Sequence, residues 1–266
     1  MNDYLDFAKT LALQTGEIML KHFHPNVLIH EKGDSSIVTE ADEAINRLVI
    51  EEIRKRYPEH SVEGEEESSK KIAEFTWLCD PIDGTVPYAK GVPVSVFSLA
   101  LVKDGEPQLG VVYDPFMKRL YTAIKGQGAL LNGKPIHVSD RQLAKRTTIN
   151  VEWWPEAPYD IETPIHELSL ETKAYVLHLG CVANAACWVA SGRYDACIYA
   201  GTNGKALDIA AVKVIVEEAG GQVTDLFGAE QRYDNDINGA IISNGRVHQQ
   251  LVDIFARNLT NRLASQ

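Results

Sequence analysis

The sequence predicts a mixed α/β protein of the α+β kind, on three observations. Its first 57 residues carry two amphipathic helical periods. Its middle is a run of β-type segments joined by tight-turn signals, and its second half alternates strand and helix signals. The chain has 266 residues, enough for one large domain, with a soft lobe boundary near residue 145 where the hairpins give way.

Leu5, Ala8, Leu11, Ala12, Thr15, Ile18, Met19 and His22 keep a 3.6-residue period, so residues 3–23 read as a helix. Extended signals follow around Val27-Leu28-Ile29, then the turn formers Gly33-Asp34-Ser35-Ser36. A second helix runs from Thr39 to Tyr57. Ile45, Leu48, Val49 and Ile53 form its stripe and Pro58 is its stop. An apolar lead-in, Phe75 to Cys79, reads as a buried strand that ends at Asp80, because Pro81 lacks an N–H. Val94–Val102, Leu109–Tyr113 and Leu120–Ile124 are β-type. The signals Lys103-Asp104-Gly105-Glu106, Asp114-Pro115 and Asn132-Gly133 turn them into consecutive hairpins of an antiparallel sheet. That order and the missing third glycine in Gly126-Gln127-Gly128 disfavour a dinucleotide-binding βαβ reading. Glu152–Pro164, rich in Trp and Pro, reads as an irregular loop. Val176-Leu177 and Cys197-Ile198-Tyr199 read as strands flanking a short helix, Val182–Ala190. Asp208 reads as the N-cap of a helix that stops at Gly220-Gly221. Ala240-Ile241-Ile242 and Leu251–Leu259 close the chain as strand and helix.

With 26 basic and 37 acidic residues, the formal charge is −11, which argues against broad binding to nucleic acid or to an anionic membrane. An acidic protein that handles phosphate needs bound divalent cations to invert the local field. Cys79, Cys181, Cys187 and Cys197 lie in apolar contexts without a Cys-x-x-Cys pair, so they read as reduced core residues. Met1-Asn2-Asp3-Tyr4 has no signal-peptide character, and no apolar stretch approaches the roughly 18 residues of a membrane span. The expected location is the cytoplasm.

The chemistry concentrates in Asp80-Pro81-Ile82-Asp83-Gly84-Thr85. Two carboxylates, a glycine and a hydroxyl at a strand end bring hard oxygen ligands and backbone N–H groups to one point. The first suit Mg²⁺ and the second phosphate. By itself such a stretch is equally a plain turn. Glu63-Gly64-Glu65-Glu66-Glu67, Thr39-Glu40-Ala41-Asp42, Asp208 and Glu218 add acidic groups from separated segments. Locally each also has a structural reading. Asp42 favours a helix start, Asp208 caps a helix, and the glutamate run is a solvated face.

This pattern resembles the inositol monophosphatase family of Mg²⁺-dependent, lithium-sensitive phosphatases. Asp80-Pro81-Ile82-Asp83-Gly84-Thr85 matches the family signature in full, and Gly64-Glu65-Glu66 stands at the expected distance before it. The matching segments run from Lys32 to about Asn244. The resemblance implies a layered α-β-α-β-α sandwich of the inositol monophosphatase / fructose-1,6-bisphosphatase type, without independent domains. It implies two or three Mg²⁺ held by Glu65, Asp80, the Ile82 carbonyl, Asp83 and Asp208, with Glu66 in support. It implies that Asp42 holds Thr85, which contacts the attacking water. Phosphate would meet the amides of Gly84 and Thr85, and the alcohol half would meet Gly180, Cys181 and Val182 beside Asp83. A homodimer is also implied.

The chain departs from the family pattern in four places. Leu207-Asp208 replaces Trp-Asp, and Val86-Pro87 replaces Thr-Asn after the signature. Gly180-Cys181-Val182-Ala183 stands for Gly-Ser/Thr-Ala-Ala, and Gly201 stands where inositol-type members tend to place a glutamate. The reading is therefore a Mg²⁺-dependent phosphomonoesterase, with inositol 1-phosphate preferred as substrate. Histidinol phosphate and fructose 1,6-bisphosphate are the alternatives within the same chemistry. A non-catalytic member that works through protein contacts is the alternative of a different class.

Overall fold

A computed structural model describes residues 1–24, 29–31, 37–154, 157, 159–201 and 206–263. The first half carries α1 (Asn2–His22), β1 (Ile29–Glu31), β2 (Ile37–Thr39), α2 (Glu40–Arg56), β3 (Ser61–Gly64), β4 (Ser68–Ser69), β5 (Phe75–Asp83), α3 (Thr85–Ala89), β6 (Val96–Lys103), β7 (Glu106–Asp114), β8 (Arg119–Ile124), β9 (Ala129–Leu131) and β10 (Lys134–Pro135). The second half carries β11 (Thr148–Glu152), α4 (Glu162–Thr172), β12 (Tyr175–Leu177), α5 (Val182–Ala190), β13 (Ala196–Tyr199), α6 (Ala206–Glu218), β14 (Gln222–Thr224), β15 (Ala240–Ser243) and α7 (His248–Leu263).

Strands β3 to β10 form an eight-stranded sheet in the order β10-β9-β8-β7-β6-β5-β3-β4, antiparallel except where β3 runs beside β5. The later strands form a mixed five-stranded sheet, β12-β11-β13-β15-β14. Three apolar cores separate the layers. Leu11, Met19, Ile45 and Ile53 of α1 and α2 meet Trp77, Phe97 and Leu99 on one face of the large sheet. Residues of α5 and α6 fill the space between the two sheets. Ile165 of α4 and Leu251 and Phe255 of α7 cover the outer face of the small sheet with Ile149 and Ile198. The order is therefore α-β-α-β-α. A helix sandwiched between two sheets must be apolar nearly all round. Helix α6 is so, with Ile209 through Val216 buried around Lys213.

The hairpins follow from their turn residues. Asp104 and Gly105 both take positive φ (53° and 77°), as do Asn132 and Gly133 (50° and 76°). These are the left-handed pairs that match the twist of flanking strands. Thr39 and Asp42 form a reciprocal capping box that starts α2 at the expected place. Cys79, Cys181, Cys187 and Cys197 are free and buried. His60 is buried and accepts from Trp77 Nε1 at 3.1 Å, a packing role, and His178 is exposed. Among the described residues no helix is long and apolar enough to cross a membrane.

Four expectations need correction. Strand β5 does not stop at Asp80 but continues to Asp83 through an irregularity in its pairing with β6. The bulge leaves Pro81 without a ladder N–H to supply. The stretch expected to be an irregular loop instead begins with Glu152 as the last residue of β11 and ends inside α4. Asp208 is not the N-cap of α6 but lies within its first turn, where a negative charge still favours the positive end of the helix. Glu218 does not join the acidic segments at the site: its carboxylate accepts from Gly126 N and Gly128 N at 2.6 and 2.7 Å, which ties α6 to the turn before β9. The extended signals at Val27-Leu28 and the turn Gly33-Asp34-Ser35-Ser36 lie outside the described residues.

Candidate active site

The bulged end of β5 buries two carboxylates. Asp80 is 3% exposed and Asp83 is 8% exposed. Asp80 Oδ1 accepts from Ile82 N at 3.0 Å, closing a local turn across Pro81. Gly84 then takes φ +83°, a left-handed value that L side chains rarely adopt, and hands the chain to α3. A Cβ there would fall 2.8 Å from the Gly180 carbonyl oxygen and 3.0 Å from Cys181 Cβ. The turn is therefore pressed against the start of α5.

That contact decides the surroundings of Asp83. Its Oδ2 accepts from Ala183 N at 2.5 Å and from the Cys181 thiol at 3.0 Å, so Asp83 serves as a cap for α5 from 100 residues away. Burial pushes the Asp83 carboxyl up to about 7, and the charge of Asp208 adds to this. Asp208 in turn accepts a hydrogen bond from the Tyr199 hydroxyl, whose ring packs against Trp154. Burial and Asp208 both hold the Tyr199 hydroxyl in its protonated, donating form. Asp208 acts most strongly on Tyr199, with smaller electrostatic contributions from Asp83 and Asp80.

Glu65 and Glu66 occupy the loop between β3 and β4, half-buried. Both act on Asp42, whose carboxyl is raised to about 7, chiefly by burial. Glu63 pairs with Lys70 at 3.0 Å and Glu67 is exposed, as expected of surface charges. The loop is held by Asn46, one turn after Asp42 on α2, whose Nδ2 donates to the Glu67 carbonyl at 3.1 Å. Gly64 leaves room for this, since a Cβ there would lie 2.0 Å from Asn46 Oδ1. Asn46 is a positioning residue that sequence reading missed. Its signal was its place at i+4 from Asp42 on the same helix face.

The two members of the proposed activating pair bond to other partners. Asp42 Oδ2 accepts from Thr39 N and Thr39 Oγ1 at 2.9 and 2.5 Å, which is the helix-starting role. Asp42 Oδ1 is buried without a hydrogen-bond partner. Thr85 Oγ1 donates to the Ile82 carbonyl at 3.1 Å. Gly180 and Cys181 lie where a substrate would be expected, but the Cys181 thiol is buried against Asp83 and Val182 is buried in the core between the sheets. Only the exposed Gly180 backbone of that trio reaches the surface.

Glu152 is the second residue sequence reading missed. Its carboxylate accepts from Gly180 N at 3.0 and 3.1 Å, from Cys181 N at 3.4 Å and from Asn150 Nδ2 at 2.7 Å. It also adds to the charges that act on Asp83.

A model of the inositol monophosphatase family matches residues 1–260. The chain belongs to the inositol monophosphatase family. It is 35% identical to inositol monophosphatase 1 of Solanum lycopersicum over 86% of this chain and 87% of that one. It is 33% identical to a fructose-1,6-bisphosphatase/inositol-1-monophosphatase of Thermotoga maritima over 95% of each. A solved inositol monophosphatase from Thermotoga maritima superposes with a TM-score of 0.87 at 32% identity, covering 97% of this chain and 99% of that one. Family members are phosphoric monoester hydrolases that depend on metal ions, and the layered fold expected of them is the one observed.

The donor set fits that metal dependence. Glu65, Asp80, Asp83 and Asp208 offer hard carboxylate oxygens, and the main charges acting on Asp83 are other carboxylates. Asp42 Oδ1 is an unmet buried acceptor beside them. Among the described residues no three histidine, cysteine or acidic side chains stand as a finished ligand set. The carboxylates described above accept from backbone N–H groups, a thiol and a phenol.

Proposed function

We propose that this chain hydrolyses a small phosphorylated alcohol, inositol 1-phosphate foremost, with two or three Mg²⁺ as cofactors. The observation that carries the reading is the burial of Asp80 and Asp83 together at the bulged end of β5 beside the Gly84 turn, where burial and then the charge of Asp208 raise the Asp83 carboxyl to about 7. Glu65, Asp80, the Ile82 carbonyl, Asp83 and Asp208 would hold the cations, which supply charge for the phosphate and lower the pKa of water.

The chain's own groups divide the remaining work. The Gly84 and Thr85 amides, at the left-handed turn that starts α3, are the groups assigned to phosphate oxygens. Thr85 orients the attacking water, and Asp42 Oδ1 is the acceptor for the proton that the water loses. Phosphorus then exchanges the bond to the ester oxygen for one to water oxygen, and the departing alkoxide takes a proton from solvent. The likeness to family members supports a homodimer, which light scattering would test.

The test is phosphate release from inositol 1-phosphate, histidinol phosphate and fructose 1,6-bisphosphate, with Mg²⁺ or with chelator, beside Asp80→Asn. Mg²⁺-dependent release that the substitution abolishes is the expected result. A folded protein that binds Mg²⁺ and releases phosphate from none of these would favour the protein-binding reading.

A further inference from the structure

The Glu152 carboxylate stands one residue away from the Gly84 turn, across the exposed Gly180. Gly180 touches Gly84 through its carbonyl, and a Cβ on Gly180 would fall 2.9 Å from Pro87 Cγ. On its other side, Gly180 N is held by Glu152. One residue therefore separates the Glu152 carboxylate from the turn that would hold phosphate. An ester substituent that left the turn past the exposed Gly180 would meet Glu152. Beyond it lie the exposed imidazole of His178 and Glu162, 3.6 Å apart. Burial pushes the Glu152 carboxyl up, and the N–H donors of Asn150, Gly180 and Cys181 oppose this by favouring the anion.

We propose that Glu152 is a charge filter for the alcohol half of the substrate. Phosphomonoesters with a neutral or cationic alcohol are turned over, and those with a second phosphate on that half are rejected. This rests on the phosphomonoesterase reading above. Selection of this kind works by repulsion rather than by added attraction. A carboxylate held by several N–H donors does not swing aside, so a second anion meets it at short range in a half-buried setting. A neutral polyol loses nothing, because its hydroxyls donate to the carboxylate's remaining lone pairs. An ammonium group gains an ion pair.

The experiment has two arms, both in saturating Mg²⁺ at pH 8. In the first, kcat/KM is measured for inositol 1-phosphate and fructose 1,6-bisphosphate in the native protein and in Glu152→Gln. The amide keeps the shape and one acceptor for Gly180 N but removes the charge. The expected result is that the ratio of bisphosphate to monophosphate efficiency rises by about tenfold or more, mainly through KM. A purely structural clamp would lower both substrates together, and an unchanged ratio overturns the proposal.

The second arm needs no variant and stands if Glu152→Gln fails to fold. Propyl phosphate, O-phosphoethanolamine and 1,3-propanediol bisphosphate place a neutral, a cationic and an anionic group at similar reach. The native protein is expected to rank the anionic ester last, with the gap narrowing as salt is added. An anionic ester ranked first overturns the proposal while leaving the phosphatase intact. Absence of release from every ester overturns the phosphomonoesterase reading and the filter with it.

Discussion

Asp195 and Asp83 are both buried aspartates at strand ends, one just before β13 and the other closing β5, and they are satisfied in opposite ways. Asp195, fully buried, accepts from Arg141 Nε at 2.7 Å, Ser139 Oγ at 2.6 Å and Thr148 N at 2.9 Å. The chain brings its own cation to that carboxylate, and the result joins the segment before β11 to the turn before β13. Asp83 receives an amide and a thiol, and the charges around it are those of Asp208 and Glu152. Removing a charge from water is tolerable when a partner of opposite sign comes with it. Where the partners have the same sign, the cluster is costly to the apo fold and valuable to a bound cation. On the proposed function, Asp195 is the structural aspartate and Asp83 the functional one, although residue type and burial are alike.

The sharpest way to break this contrast is to neutralise each residue in turn. Asp83→Asn is expected to lower kcat/KM by about a thousandfold or more while leaving the thermal midpoint in chelator unchanged or higher, because a repulsion is removed. A large loss of stability would show that Asp83 is structural after all. Asp195→Ala should do the reverse. It strands the Thr148 N–H and the Ser139 hydroxyl and costs about 3 kcal/mol in urea unfolding, with turnover per folded molecule kept within about twofold.

His248 offers a third kind of buried ionisable group, one kept neutral. It sits between the Thr224 and Ser243 hydroxyls at 3.0 and 2.9 Å, and burial lowers its pKa from 6.5 to about 4. The unfolded chain takes up the proton first, so stability is fully present above pH 6.5 and falls as the pH drops toward 4. The expected loss over that window is about 2 kcal/mol, read by urea melts at successive pH values. His248→Gln should flatten that part of the profile, and an unchanged slope would contradict the assignment. The smallest expected effect belongs to Asn46→Ala. Freeing the loop that carries Glu65 should raise the Mg²⁺ concentration for half-maximal activity by about tenfold, with KM for the ester at saturating Mg²⁺ nearly unchanged. An equal effect on both would mean that Asn46 supports the whole site and not the metal loop alone.

Local pattern carried much of this molecule. The periods of α1 and α2, the hairpins at Asp104-Gly105 and Asn132-Gly133, and the signature at Asp80–Thr85 were legible because each depends on neighbours a few residues away. Local reasoning went wrong where a tertiary contact overrode it. Pro81 sits inside β5 because a bulge absorbs its missing N–H. Glu152 looked like part of a Trp/Pro-rich loop because nothing near it in sequence shows that Gly180 N will be its partner, 28 residues on.

The sequence by itself determined the class of the fold, the family and the kinds of group at the site. Composition, turn chemistry and a short contiguous signature suffice for those. The tertiary structure alone decided which charges meet. Asp83 caps a helix 100 residues away, Glu152 holds the Gly180 N–H beside the same turn, and Asp195 finds Arg141 across 54 positions. Those pairings depend on how the two sheets are set against α5 and α6. That setting follows from the summed packing of three apolar cores, not from any one stretch of chain.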